Sequence, residues 1–178
     1  KTLTPVPIPP GVREEDLLEL KTIYVNKPDG RKKARTVAAA HKRALKKRNI
    51  DFGRTFSPTV RASTARMCCG VSVELGLTIR GGDVKSAYTI PEWPAHLPKQ
   101  LGRMPSGYQS VIDGIKHCVE LGNIYGLPPA GKHWWNHLKA WLLNFGMEQS
   151  PHDPCLFSKF GDNGDRRYLI VFVDDILR

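Results

Sequence analysis

Arg167-Tyr168-Leu169-Ile170-Val171-Phe172-Val173-Asp174-Asp175-Ile176-Leu177-Arg178 is the stretch on which the fold turns. Tyr168 to Val173 are all aromatic, β-branched or Leu, which predicts a short, fully buried strand rather than a helix of less than two turns. The strand runs into Asp174-Asp175, and Ile176-Leu177 resume the apolar pattern, so the whole reads as a hairpin with two carboxylates at its tip. Adjacent like charges repel, and something must neutralise them. Water does so at an ordinary exposed turn; divalent cations do so in a site, because Mg²⁺ takes hard carboxylate oxygens together with substrate phosphates. A third carboxylate at another strand end would favour the site.

Asp83 is that third carboxylate. Leu77-Thr78-Ile79-Arg80-Gly81-Gly82-Asp83 reads as a strand ending in the acid, and Val84-Lys85-Ser86-Ala87-Tyr88 starts a tight helical turn. An acid there can bind a metal or phosphate beside free backbone N–H groups, or simply cap the turn.

Composition narrows the partner. The chain has 178 residues, 27 Lys+Arg against 17 Asp+Glu and a formal net charge of +10, which suits a polyanion such as nucleic acid, or merely a soluble basic protein. Distribution says more. Arg31, Lys32, Lys33, Arg35, Lys42, Arg43, Lys46, Lys47 and Arg48 occur with no acid among them, as a patch that tracks a phosphate backbone would. At 40% hydrophobic the chain can build one core or a core shared by two subdomains. Cys68, Cys69, Cys118 and Cys155 lack CxxC spacing and a zinc-type His pair, and are expected to be buried or free thiols of a reducing compartment. No run reaches membrane-spanning length and no signal-peptide core is seen, so an intracellular protein with no membrane partner is expected. The absence of an initial Met and the end just after the acidic pair give the look of a piece of something longer.

The remaining segments supply the frame. Residues 1–17 begin with a proline-rich stretch, expected to be an extended arm or linker folding onto nothing by itself. Leu18 to Val25 and Arg31 to Ala40 are paired strands around the turn Lys27-Pro28-Asp29-Gly30; Lys33 and Arg35 on the return strand either close over phosphates or blunt a solvated edge. His41 to Asn49 is helix or loop. A helix capped by Ser63 or Thr64 and stopped by Gly76 carries Ala65, Cys68, Cys69, Ser72 and Val73 on a face assigned to core packing. Pro91 to Gly107 is loop and Lys116 to Leu121 is a strand. A last helix places Trp134, Leu138, Trp141, Leu142 and Phe145 on one face before Gly146, with Trp134 and Trp141 expected in the core and Trp135 exposed.

Seven strings occur in one order: Lys33-Ala34-Arg35-Thr36-Val37-Ala38, Phe56-Ser57-Pro58-Thr59-Val60-Arg61, Asp83-Val84-Lys85-Ser86-Ala87-Tyr88, Met104-Pro105-Ser106-Gly107-Tyr108, Ile124-Tyr125-Gly126-Leu127, Ser150-Pro151-His152-Asp153-Pro154-Cys155-Leu156 and Phe172-Val173-Asp174-Asp175. Together they resemble the reverse transcriptase domain of Ty1/copia-type retrotransposons, from about Leu18 to the end. Ala39-Ala40-His41 and Pro128-Pro129-Ala130-Gly131 depart from the family's usual strings.

The resemblance implies an α+β fold, the fingers and palm of a polymerase with an antiparallel palm sheet and packed helices, over residues 18–178 and ending just past the catalytic hairpin. It implies RNA-directed DNA polymerisation, with Asp83, Asp174 and Asp175 as catalytic metal ligands for two Mg²⁺ ions, for which Mn²⁺ can substitute. By that likeness Asp83 and Asp174 bridge both ions, while Asp175, the second of the pair, points elsewhere if the strand alternates and contributes less directly. Tyr88 matches the steric gate under the sugar, Lys33 and Arg35 the triphosphate-binding cations, and the chain around Tyr125-Gly126-Leu127, with Val84, Ala87 and Gly126, the nucleotide pocket. Implied partners are a primed RNA or DNA template, deoxynucleoside triphosphates and the rest of a Pol polyprotein, in cytoplasmic virus-like particles or the nucleus. A non-catalytic nucleic-acid-binding remnant is the alternative. On either reading, affinity for a nucleic acid should fall roughly 10³-fold or more between 50 and 200 mM salt if six or more phosphates are contacted. A salt titration checks this, and a flat response removes the basic segment from the contact surface.

Overall fold

The computed structural model describes residues 2–178; Lys1 of the expected arm and the side chain of Lys47 in the basic segment lie outside the described residues. The chain folds as two compact units, each built from two stretches: residues 1–55 with 88–133, and residues 56–87 with 134–178. It is a mixed α/β fold whose named strands all pair antiparallel.

In the first unit, strands β1 (Leu3–Pro7), β5 (Gln100–Gly102) and β6 (Val111–Ile112) all pair with β7 (Ile115–Leu121), while β2 (Leu20–Asn26) and β3 (Lys32–Ala38) form a separate hairpin. The N-terminal segment therefore corrects one expectation. Leu3 to Pro7 pair residue for residue with Leu121 to His117, which an edge strand permits because proline's missing donor can face away from the ladder. Gln100–Gly102 likewise adds a short strand to a stretch expected as loop. The β2–β3 hairpin and its turn are where the sequence puts them, and the short helix α1 (Lys42–Lys47) answers the ambiguous basic segment. Leu18, Leu20, Ala38, Leu45, Val119, Leu121, Ile124 and Leu127 make the core. Buried Asn123 is fully employed: its amide donates to the carbonyls of Pro91 (2.9 Å) and Glu92 (3.0 Å), so its oxygen accepts from His133 Nδ1 (2.6 Å) and fixes that ring's tautomer.

The second unit is one five-stranded sheet in the order β4 (Gly81–Asp83), β11 (Asp175–Leu177), β10 (Arg166–Phe172), β9 (Leu156–Phe160), β8 (Glu148–Gln149). The register Leu169↔Phe157 puts Cys155, Phe157, Leu169 and Val171 on one face, where the Phe157 ring lies 6.2 Å from that of Trp135 on helix α3 (Ala130–Asn144). Ile170 and Tyr168 face the other way and share a small hollow with Cys68, Cys69 and Ser72 of helix α2 (Ala62–Glu74). Only Ile170 and Val171 of the expected fully buried strand are buried; Tyr168 and Phe172 are exposed.

Two helix expectations are also corrected. Trp135 is buried and Trp141 is 57% exposed, stacked on Phe145, because the buried face of α3 centres on Leu138 and Leu142 and leaves Trp141 on its flank. Those two leucines contribute about 2 kcal/mol each by burial. Helix α2 has no buried residue, so its small apolar stripe is not a core face, and Met67, Val71 and Val73 are exposed. Nor is it capped by Ser63 or Thr64. Its N-cap is Arg61, whose backbone N–H donates to Asp153 Oδ2 at 3.0 Å, while Asp153 Oδ1 accepts from the Cys155 N–H at 2.9 Å.

Asp153 is 1% exposed. Burial pushes its pKa up, but the hydrogen bonds from Thr64 and from the Arg61 and Cys155 amides, with the Arg61 charge, outweigh that and hold the carboxyl below its ordinary 3.8. A depressed folded-state value means stability that is present above the unfolded-state pKa and lost as pH falls through the folded one. Acid titration of thermal stability should show that loss below about pH 4, and Asp153→Asn should be less stable at pH 7 with the acid-side slope reduced.

Candidate active site

In the second unit, Phe172 pairs with Asp175, so the hairpin turn is the two residues Val173-Asp174. One of the two carboxylates is therefore in the turn and the other begins β11. Val173 has φ +58°, and Asp174 is not in the left-handed region, the pattern of a type II′ turn, which normally wants Gly at that first position. A β-branched residue there costs about 1–3 kcal/mol. The carbonyl of Val173 accepts a 2.7 Å hydrogen bond from Trp134 Nε1, which ties the turn to the buried face of α3.

Asp83 meets this turn across the ladder, as its partner in register is Asp175. Arg80 and Arg178 exchange both backbone hydrogen bonds (2.8 and 2.9 Å), and the Val84 N–H donates to the Asp174 carbonyl at 2.8 Å. Counting along the ladder, Asp83 and Asp175 fall on a non-hydrogen-bonded pair, where Cα atoms approach to about 4.5 Å and side chains share a face. The fold thus brings Asp83 to the acidic hairpin from 91 residues away in sequence (174 − 83) and sets it opposite Asp175, with Asp174 at the adjoining turn. Asp83 and Asp175 are exposed and Asp174 is half-buried. Among the described residues no cation is ion-paired with any of the three, and no three His, Cys, Asp or Glu side chains converge on a metal-sized point. A cleft of about 740 Å³ opens beside Asp83 and Asp175, walled by Val60, Ala65, Phe172 and Ile176. Val84 and buried Ala87 follow on the same segment.

The first unit assembles a second group. The guanidinium carbon of Arg35 lies 4.0 Å from the ring centre of Tyr125, whose ring is 5.0 Å from that of Tyr88. The Ala38 N–H donates to the Tyr125 carbonyl at 2.8 Å. Gly126 has φ +88°, and a Cβ there would stand 2.1 Å from the Ala38 carbonyl oxygen, so only glycine lets the segment lie this close to β3. Lys33 is exposed, on the face of β3 that also carries Arg35. Not every cation of the basic segment is available to a ligand. Arg31 is paired with Asp29 at 2.6 Å, and Arg48 donates to the carbonyls of Leu17 and Ala44.

Family comparison bears on both groups. Residues 5–178 match the model of a family described as reverse transcriptase (RNA-dependent DNA polymerase). The chain belongs to the reverse transcriptase family, in its Ty1/copia-type branch. Its curated relatives include the Retrovirus-related Pol polyprotein from transposon TNT 1-94 of Nicotiana tabacum, 27% identical over 97% of this chain and 13% of the relative. Those from transposons RE2 and RE1 of Arabidopsis thaliana are 29% and 27% identical, each over 96% of this chain and 12% of the relative. The chain thus spans about an eighth of their length. No solved structure matches it.

Two residues that hold these groups in place are not marked by the sequence. Trp134 reads only as core and the Tyr125 ring only as part of a pocket-lining string. Helix periodicity marked Trp134 as inward-facing, but no local pattern shows that its N–H meets a turn carbonyl 39 residues on.

Repulsion between Asp83 and Asp175 gives a test. Asp175→Asn should slightly raise the melting temperature in metal-free buffer, since like charges opposite one another across a ladder destabilise it. Millimolar Mg²⁺ should raise the melting temperature of the wild type and not of the variant; an equal rise in both excludes Asp175 from a cation site.

Proposed function

We propose that the chain carries the polymerising site of an RNA-directed DNA polymerase, in which Asp83, Asp174 and Asp175 hold magnesium and template-directed nucleotidyl transfer takes place. The observation that carries this reading is the register pair Asp83–Asp175 beside Asp174, with no cation partner among the described residues. The donor chemistry fits. Mg²⁺ binds protein through one or two carboxylates and completes its shell with water and substrate phosphates, so an open pair of acids suits it better than a closed cage of three. Two such ions, when bound, would activate the primer 3′-hydroxyl and neutralise the triphosphate and leaving pyrophosphate.

The protein's own part is placement. Asp83 and Asp175 present oxygens from rigid strands, and Asp174 does so from a turn whose carbonyl is tied to Trp134. Lys33 and Arg35 supply positive charge for the triphosphate, as point charge and planar fork respectively. Tyr88, backed by Tyr125, would lie under the sugar and exclude a 2′-hydroxyl. Exposed Lys32, Lys42, Arg43 and Lys46 would follow the template–primer backbone. This reading implies fingers for the basic hairpin and palm for the five-stranded sheet, within a Pol polyprotein like those of the relatives.

On a primed RNA template with Mg²⁺, the chain should incorporate deoxynucleotides. Asp174→Asn should lower kcat by about two to three orders of magnitude, as loss of a preorganised electrostatic group does, with template binding nearly unchanged. Tyr88→Ala should keep deoxynucleotide incorporation and admit ribonucleotides. Binding of template–primer without incorporation by the wild type favours the non-catalytic remnant; equal activity in wild type and Asp174→Asn overturns the metal assignment.

A further inference from the structure

Tyr125 occupies a position that neither the metal site nor the sugar gate explains. One side of its ring carries the Arg35 guanidinium at 4.0 Å, and its ring centre is 5.0 Å from that of Tyr88, with the two planes inclined at 50°. Its backbone has little freedom, because its carbonyl is bonded to the Ala38 N–H and the next residue is the glycine that the Ala38 carbonyl demands. The ring is therefore fixed relative to β3, the strand that carries Arg35. A guanidinium lying on an aromatic face keeps its N–H edges directed outward in the plane while its flexible stem is immobilised. Among the described residues no carboxylate is paired with Arg35. Such a cation is preorganised for bidentate contact with phosphate oxygens. Tyr88 meets the same ring and also packs on the apolar core of the first unit.

We propose that Tyr125 is a positioning residue that sets the phosphate-binding fork of Arg35 and the sugar-facing ring of Tyr88 together, so that triphosphate affinity and discrimination against a 2′-hydroxyl are coupled through one aromatic ring. This rests on the polymerase reading above and adds to it a dependence that separate roles for Arg35 and Tyr88 do not require. Loss of the ring releases the guanidinium to sample many rotamers, which weakens triphosphate binding. It also removes the support behind Tyr88, which lets that ring retreat from the sugar. Both effects follow from the aromatic face, not from the phenolic hydroxyl.

The test uses the 178-residue chain and a fluorescently labelled deoxynucleoside triphosphate with Mg²⁺, competed by unlabelled deoxy- and ribonucleoside triphosphates. Tyr125→Leu should weaken deoxynucleotide binding about tenfold, the scale of a cation–π contact and its ordering, and should shrink the deoxy-to-ribo preference in the same variant. Tyr125→Phe should restore both relative to Leu. Arg35→Met should weaken affinity while keeping the preference, and adding Tyr125→Leu to it should cost less affinity than it does in the wild type. If Tyr125→Leu does not fold, the ring-current shift of the Arg35 side-chain protons in wild type, and the affinity of Arg35→Lys, which keeps charge but not the planar stack, carry the test. An unshifted Arg35 or undiminished affinity in Arg35→Lys then overturns the inference. Wild-type binding left unchanged by Tyr125→Leu, or strict additivity with Arg35→Met, overturns it while the polymerase reading stands. A wild-type chain that binds no nucleoside triphosphate overturns both.

Discussion

Two carboxylates that repel each other are held face to face because a backbone ladder gives them no alternative. The bonds between Arg80 and Arg178, and between Val84 and Asp174, fix the register of β4 against β11, and a shift by one residue would turn every side chain of β11 to the opposite face. The turn that feeds β11 is itself strained at Val173 and is secured from behind by the Trp134 N–H. Trp134 in turn is held by the buried face of α3. The hydrophobic packing of one helix thus supports an arrangement that the acids alone would abandon, since local strain persists only where the surrounding structure over-determines it.

The first unit solves a related problem without backbone strain at Arg35, Tyr125 or Tyr88. Arg35, Tyr125 and Tyr88 attract one another, and the close approach of Tyr125-Gly126 to Ala38 is allowed by glycine, whose conformational freedom makes φ +88° inexpensive. Removing a member of this group should loosen it, whereas removing one acid from the second unit relieves it. That contrast in sign separates a site whose ligand would complete its charge balance from one already assembled.

Much of this was legible in the sequence because it is local. The acidic hairpin, the basic hairpin, the strand before Leu121 and the last helix each follow from alternation, turn residues or helical spacing within a dozen positions. What the sequence hid depends on partners far along the chain. Pro5 and Pro7 argue for a free arm until β7 offers an edge that proline tolerates. The small residues of α2 match a buried stripe, but spacing does not reveal whether anything covers it. Trp135 and Trp141 exchange their expected places because five apolar positions on α3 are compatible with two neighbouring faces, and only the sheet against it selects one.

The candidate site shows the same division between local and distant information. Asp83, Asp174 and Asp175 could be singled out as acids at strand ends, and the ordered motifs gave their roles by resemblance. Alternation along the strand, taken alone, suggested that Asp175 would turn away from the other two. The two ladders change that result: Phe172 and Asp175 close the hairpin and leave Asp174 in the bend, and the register of β4 against β11 puts Asp175 opposite Asp83. The short bend, with its strained Val173 and the indole that holds its carbonyl, therefore leaves Asp174 at the tip, while the bonds between β4 and β11 decide that Asp175 is the carboxylate that meets Asp83 on the sheet.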